Sequence, residues 1–255
     1  MIEETKIAIL SGGTGRIGGL FLNELIKLNY KIYLLSRSKE KFNNVKKNKK
    51  FNNRIIRINF DLLNEKIIKS AIKKINRDNK KIDCIINCAS SSYRGKSFSY
   101  NFKKLNEEMM GVFNSSFYLT EKLLPLLRKS SFGKIINVGS LWGMNSVNFS
   151  TYLDLDIGPS AITSSGKAAL MQYTKYLSSR EAENNITANN LVPGWFPRKG
   201  KVERKDYIKS INSKIPLNRI GKLDDLKSAI SFLLSSENKY FTGQNLIVDG
   251  GFSII

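Results

Sequence analysis

The sequence predicts one α/β domain, a doubly wound seven-stranded parallel sheet with helices on both faces. Three observations carry that expectation. Short apolar runs alternate with segments of helical periodicity along the whole chain. A glycine-rich turn stands directly between the first apolar run and the first helical segment. No linker divides the 255 residues, a length that a single α/β unit can fill, so residues 1–255 are read as one domain.

The elements follow in order. Residues 6–10 (KIAIL) form a short buried strand, and a helix runs through Phe21, Leu22, Leu25, Ile26 and Leu28. Residues 30–35 and 54–58 supply the second and third strands. The Lys/Asn-rich patch at 42–53 between them reads as a solvated helix end and loop. Residues 62–77 have helical spacing in Leu62, Ile67, Ile68, Ala71, Ile72 and Ile75. Residues 82–87 are the fourth strand, 105–127 a long helix and 134–138 the fifth strand. A helix at about 161–180, a strand at 186–191, a helix at 223–234 and a strand at 245–248 complete the series.

Composition excludes several classes. The chain has no histidine, which removes Ser-His-Asp and Cys-His catalysis and His-ligated zinc; no metal site is expected. Cys84 and Cys88 lie roughly 13 Å apart along a strand, beyond disulfide reach. Reduced thiols point to the cytoplasm. No run approaches the roughly 20 apolar residues of a membrane span, and the opening residues do not read as a signal peptide. The net charge of +21 comes from lysines scattered over nearly every helix, together with abundant Asn and Ile. That mixture is what AT-rich codons favour, so it needs no nucleic-acid partner, and no nucleic-acid motif is present. A field that attracts an anionic small molecule is the second reading.

The turn reads Ser11-Gly12-Gly13-Thr14-Gly15-Arg16-Ile17-Gly18. A strand, a glycine-rich turn and a helix put a helix N-terminus against a pyrophosphate, the Rossmann arrangement. Gly12 takes the tight bend, Gly15 or Gly18 lets backbone approach closely, and Thr14 offers a hydroxyl. The second strand ends Leu34-Leu35-Ser36-Arg37, without the acidic residue that accepts from a ribose 2′-hydroxyl. Arg37 can pair instead with a 2′-phosphate, and Arg16 adds a cation nearby, so NADP(H) is preferred, with NAD(H) the alternative.

These residues resemble the short-chain dehydrogenase/reductase family over essentially the whole chain. Asp61 matches that family's adenine-contacting Asp, with Leu62 beside it. Asn87-Cys88-Ala89-Ser90 stands where the family has Asn-Asn-Ala-Gly, and Asn137-Val138-Gly139-Ser140 matches the motif ending in the catalytic Ser. Pro193-Gly194 occupies the place that lines the nicotinamide. Thr242-Gly243-Gln244 and Val248-Asp249-Gly250-Gly251 match the C-terminal signature. The resemblance therefore assigns Ile17, Asn87, Ala89, Pro193 and Gly194, with the turn, to the cofactor. The enlarged loop 141–159 is similar to the branch found in bacterial surface-sugar and nonulosonate biosynthesis. It implies a sugar-like or nucleotide-sugar substrate.

The family's reaction uses Ser, Tyr and Lys, the last two four apart on one helix face. Ser140 and Lys167 match; Thr163 stands at the Tyr position and Glu108 at that of a supporting Asn. Tyr152 is a candidate replacement phenol, with a loop aromatic its blander reading. Ser140 and Lys167 with a water or Glu108 form a second arrangement, and a non-catalytic dinucleotide-binding subunit a third. Lys167 also holds the nicotinamide ribose in the family, a duty that survives without Tyr. Reduction of an acyl group on an acidic carrier protein is a further enzymatic alternative. Trp142 and Trp195 flank the expected pocket mouth, and Cys88 reads as a buried small hydrophobe. Phe98, Phe102, Met109 and Phe113 read as core or subunit contacts. The resemblance implies a homodimer or homotetramer built on the helices at 105–127 and 161–180.

Overall fold

A computed structural model of the chain describes residues 5–47, 52–91, 101–149, 160–196 and 205–255. Seven strands form one parallel sheet: β1 Ile7–Ser11, β2 Lys31–Ser36, β3 Ile55–Asn59, β4 Cys84–Asn87, β5 Gly133–Val138, β6 Ile186–Pro193 and β7 Asn245–Val248. Their order is β3-β2-β1-β4-β5-β6-β7, with every pairing parallel. The chain thus reverses its direction of winding between β1 and β4, where a crevice opens at the carboxyl ends. β1, β2, β4 and β5 are almost entirely buried, as strands covered on both faces must be.

Eight α-helices among the described residues cover the sheet: α1 Arg16–Lys27, α2 Lys39–Lys47, α3 Glu65–Asp78, α4 Phe102–Met109, α5 Ser115–Leu127, α6 Ala161–Arg180, α7 Lys205–Asn212 and α8 Lys227–Leu234. On one face Ile68, Ile72 and Ile75 of α3, Leu119, Leu123 and Leu127 of α5, and Leu170 and Leu177 of α6 pack together. On the other, Phe21, Leu22 and Leu25 of α1 meet Ile230, Leu233 and Leu234 of α8 and Phe42 of α2. The two cores are the two faces of a doubly wound sheet, as expected. Among the described residues no helix is long and apolar enough to cross a membrane.

Three expectations need correction. The helix expected over 105–127 begins at Phe102 and is interrupted by a π-turn, Met110–Asn114, between α4 and α5. Gly111 sits in it because a Cβ there would lie 2.7 Å from Ser91 O, and Ser91 N donates to Gly111 O at 3.0 Å. The wide turn makes room for the chain leaving β4. The helix expected from Leu62 starts at Glu65, because Asn64 caps it by accepting from Ile67 N. α7 was not anticipated; it buries only Tyr207 and Ile211, against Ile215.

Candidate active site

The glycine-rich turn builds a phosphate cradle from steric need. Gly12 has φ +73°, a left-handed conformation, and a Cβ on it would lie 2.7 Å from Ala89 N. A Cβ on Gly18 would meet Gly12 O at 2.1 Å, so only glycine lets α1 begin this close to β1. Gly15 precedes α1 with no side-chain cap, and the first turn carries no acidic residue. The N-terminal N–H groups are therefore left for an anion. Thr14 is half-buried at the apex, and Ile17 packs into the α1–α8 core. This cradle fits a dinucleotide pyrophosphate. Ser11, not singled out from sequence beyond its place in the turn, ties it down: its Oγ accepts from Cys88 N and Ala89 N, both at 3.2 Å.

The residues expected at an adenosine end lie at the tips of β2 and β3. Arg37 follows β2 directly and is exposed. Asp61 follows β3 and accepts from Leu63 N at 3.1 Å, shaping the turn that contains Leu62. Arg16, expected to join Arg37, is placed differently. Its Nη1 donates to the Phe196 carbonyl at 3.0 Å, and that loop follows β6, across the sheet from β2. Arg16 bridges the pyrophosphate turn to the β6 loop. Asn87 turns inward: its Nδ2 donates to Thr120 Oγ1 at 2.9 Å and Asn137 Oδ1 at 2.8 Å. Gly194 donates to Val248 O at 2.9 Å, which holds Pro193-Gly194 against β7.

Ser140 stands two residues after β5, and its Oγ accepts from Trp142 N at 3.3 Å at the start of a short 3₁₀ turn. That turn is pressed onto α6: a Cβ on Gly143 would lie 2.9 Å from Ala168 N and 3.0 Å from Lys167 Cβ. Ser140 and Lys167 are thereby brought to one place. Lys167 is 8% exposed, and its Nζ donates to Val138 O at 2.6 Å. Burial lowers its pKa to about 8, the neighbouring Cys88 opposing that only in part. Burial pushes the Cys88 thiol up to about 12, which suits an inert packing residue.

Thr163 faces a different partner. Its Oγ1 donates to Glu108 Oε1 at 2.5 Å, and Ser160 Oγ donates to the same oxygen. Ser160 also accepts from Thr163 N at 2.9 Å as the cap of α6. Glu108, 5% exposed, thus brings a carboxylate to a helix N-terminus, where the helix dipole favours it. Tyr152 lies outside the described residues, as does Phe98.

Comparison with known proteins decides the family. The family model described as "Enoyl-(Acyl carrier protein) reductase" matches residues 17–253. A tropinone reductase homolog of Arabidopsis thaliana is 28% identical over 98% of this chain and 92% of its own length. An acetoacetyl-CoA reductase of an Acinetobacter species is 26% identical, covering 98% of each chain. A short chain dehydrogenase from Leptospira borgpetersenii, crystallised with bound NAD+, superposes with a TM-score of 0.83 at 28% identity, over 98% of this chain and 93% of that one. The chain belongs to the short-chain dehydrogenase/reductase family. It is an oxidoreductase fold with a Rossmann NAD(P)-binding sheet.

In this member of that family Ser140 and Lys167 match the family's motif residues, and Thr163, four residues before Lys167, has its hydroxyl directed to Glu108. Beyond Ser140 an aromatic cluster packs on the core of α7. Trp142 meets Trp195 edge-on at 5.8 Å and Phe252 at 5.9 Å, and Trp195 packs on Tyr207 at 6.3 Å. The cluster joins the segments after β5 and β6 to α7 and the C-terminus, and the sequence marks only its two tryptophans. Among the described residues no His, Cys, Asp or Glu cluster could hold a metal ion.

Proposed function

We propose that this short-chain dehydrogenase/reductase prefers NADP(H) and interconverts a carbonyl and a hydroxyl on a sugar-like or nucleotide-sugar metabolite, with an altered proton-transfer step. The observation that carries the reading is Lys167, a buried side chain whose Nζ donates to the Val138 carbonyl, two residues before Ser140, and whose pKa burial lowers to about 8. A bound nicotinamide dinucleotide supplies or takes the hydride. Ser140 Oγ donates to the substrate oxygen. Lys167 keeps two Nζ protons beyond the one given to Val138, and its lowered pKa matches it to proton delivery near neutral pH, directly or through a water. The length of the segment 141–159 supports a substrate larger than a simple alcohol, and Trp142 and Trp195, next to the turn that Ser140 begins, supply aromatic surface for a ring.

The test is NADPH consumption by the purified protein over a panel of keto-sugars. Slow turnover that disappears in Ser140→Ala supports the reading. Tight NADPH binding with no turnover on any substrate would favour the non-catalytic dinucleotide-binding subunit. If Tyr152 supplies the phenol, Tyr152→Phe loses far more activity than Thr163→Ala; equal losses exclude it.

A second substrate reading rests on other observations. The chain resembles an acetoacetyl-CoA reductase along its whole length, and a net charge of +21 attracts phosphate-bearing or acidic acyl carriers. Acetoacetyl-CoA belongs in the same panel. Self-association into a homodimer or homotetramer through the outer faces of α5 and α6 completes the proposal. It is supported by Phe117 and Tyr176, 38% and 58% exposed on those helices.

A further inference from the structure

We infer that Arg57, on β3, is the second guanidinium that reads the cofactor's 2′-phosphate beside Arg37, an assignment that rests on the NADP(H) preference proposed above. β3 pairs with β2 so that Arg57 lies opposite Leu34 and Asn59 opposite Ser36, the last residue of β2. The Arg57 side chain runs toward the carboxyl ends of both strands, because its Nη2 donates to Arg37 O at 2.9 Å and Asn59 Oδ1 at 3.3 Å. Its guanidinium therefore sits under the backbone of Arg37, at the rim of the crevice where open α/β sheets take ligands.

Several arginines of the molecule are ion-paired. Arg128 and Arg180 are paired with Glu181, Arg180 also with Glu121, and Arg219 with Asp225. Among the described residues no carboxylate pairs with Arg57, whose two acceptors are a neutral carbonyl and a neutral amide oxygen. Its Nε is buried and has no hydrogen-bond partner. Holding a guanidinium partly out of water beside only neutral acceptors, with one donor stranded, costs free energy that an anion would return. Arg37 likewise makes no ion pair among the described residues. A phosphate monoester, with three strong acceptor oxygens, is the anion that two neighbouring arginines suit. Arg16 does not serve here, because its guanidinium is directed to Phe196.

The bland alternative is a strap: Arg57 merely pins the turn after β2. Calorimetric titration separates the two. In the wild-type chain NADPH should bind more tightly than NADH, and adenosine 2′,5′-bisphosphate more tightly than 5′-AMP. Arg57→Gln keeps an amide donor for the strap and drops the charge. It should lose about 10-fold or more in NADPH affinity, the size expected for one charge-assisted phosphate contact, and leave NADH unchanged. Arg57→Lys should recover part of the loss. Equal weakening of NADPH and NADH in Arg57→Gln, or no change in either, overturns the assignment. Should Arg57→Gln fail to fold, Arg57→Met decides, since it also drops the charge, and full NADPH preference with an intact melt and an unchanged bisphosphate affinity would equally overturn the assignment. If the wild-type chain binds NADPH and NADH alike, the NADP(H) preference itself falls and takes this assignment with it. If Arg37→Met abolishes a preference that Arg57→Gln leaves whole, only Arg57 is wrong.

Discussion

Thr163 Oγ1 donates to Glu108 Oε1 at 2.5 Å, so the hydroxyl that stands in the family's phenol position is directed at a buried carboxylate. An aliphatic hydroxyl is a poor acid, and this one has spent its proton on α4. Thr163→Ala should therefore change turnover less than 10-fold, well short of the about 10²–10⁴-fold carried by a true general acid. Thr163→Tyr combined with Glu108→Asn should raise turnover by about 100-fold, because it rebuilds a phenol four residues before Lys167. Steady-state kinetics on any accepted substrate checks both. A collapse of activity in Thr163→Ala would place Thr163 in the proton path.

Lys167 sets the pH dependence. Its pKa of about 8, lowered by burial, means that the ammonium is present below pH 8 and lost above it. Activity, as kcat/KM, should be flat below that point and decline as pH rises through it, and Lys167→Arg should remove the decline along with most of the rate. The same depression makes a stability prediction. The unfolded chain binds more protons at this site between about pH 8 and 10.4, so Lys167 favours the folded state increasingly as pH climbs through that window. A profile that is flat from pH 6 to 10 would exclude Lys167 as the acid.

Two adjacent glycines in α1 should behave in opposite ways. A Cβ on Gly18 meets Gly12 O at 2.1 Å, whereas the nearest atom to a Cβ on Gly19 is Gly13 O at 4.0 Å. Gly18→Ala must push α1 off the turn, and should abolish NADPH binding in calorimetry. Gly19→Ala gains helix propensity and should stabilise by about 0.5–1 kcal/mol with binding retained. Loss of binding in both would mean that the helix start tolerates no change.

The centre of the sheet was legible because β1, β2, β4 and β5 bury largely apolar runs such as Ile7–Ser11 or Cys84–Asn87, and parallel pairing demands that pattern. The phosphate turn was legible because its glycines are local requirements. α2 and α7 were harder to read, because α2 buries only Phe42 and α7 only Tyr207 and Ile211, so their periodicity is faint. The π-turn at Met110–Asn114 adds no sequence signal, since one wide turn barely disturbs a helical repeat. The site was half legible. Ser140 and Lys167 follow from motif, but the Glu108–Thr163–Ser160 cluster joins residues about fifty apart in the chain, and Arg57 stands inside what reads as an ordinary strand.

The aromatic surface on α5 and α6 predicts self-association. Phe117 stacks on Tyr173 at 4.7 Å and Phe113 at 5.6 Å, yet remains 38% exposed, with Tyr176 58% exposed on α6. Phe117→Glu with Tyr176→Glu would desolvate two carboxylates if that face is shared, and should convert the oligomer to monomers by light scattering while the melt persists. An unchanged mass would place the contact elsewhere.

Four asparagines stand in register across the sheet: Asn87 beside Asn137, Asn137 beside Asn190, and Asn190 beside Asn245. Their amides form one chain, buried except at its half-buried Asn245 end. Asn87 Nδ2 donates to Asn137 Oδ1 at 2.8 Å, Asn137 Nδ2 to Thr174 Oγ1 at 2.8 Å, and Asn190 Nδ2 to Asn245 Oδ1 at 2.9 Å. Thr174 Oγ1 lies 2.9 Å from Asn190 Oδ1 and closes the gap between β5 and β6 through α6. Asn137→Ala strands a donor on Asn87 and an acceptor on Thr174 in a fully buried place, and should cost about 3 kcal/mol by urea denaturation. Asn245→Ala removes only the half-buried end of the chain and should cost about 1 kcal/mol or less. Asn137 lies one residue before Val138, whose carbonyl holds Lys167. The inner variant should therefore also weaken cofactor binding, while the outer one leaves it intact; equal effects of the two on stability and binding would show that the amides act singly rather than as a chain.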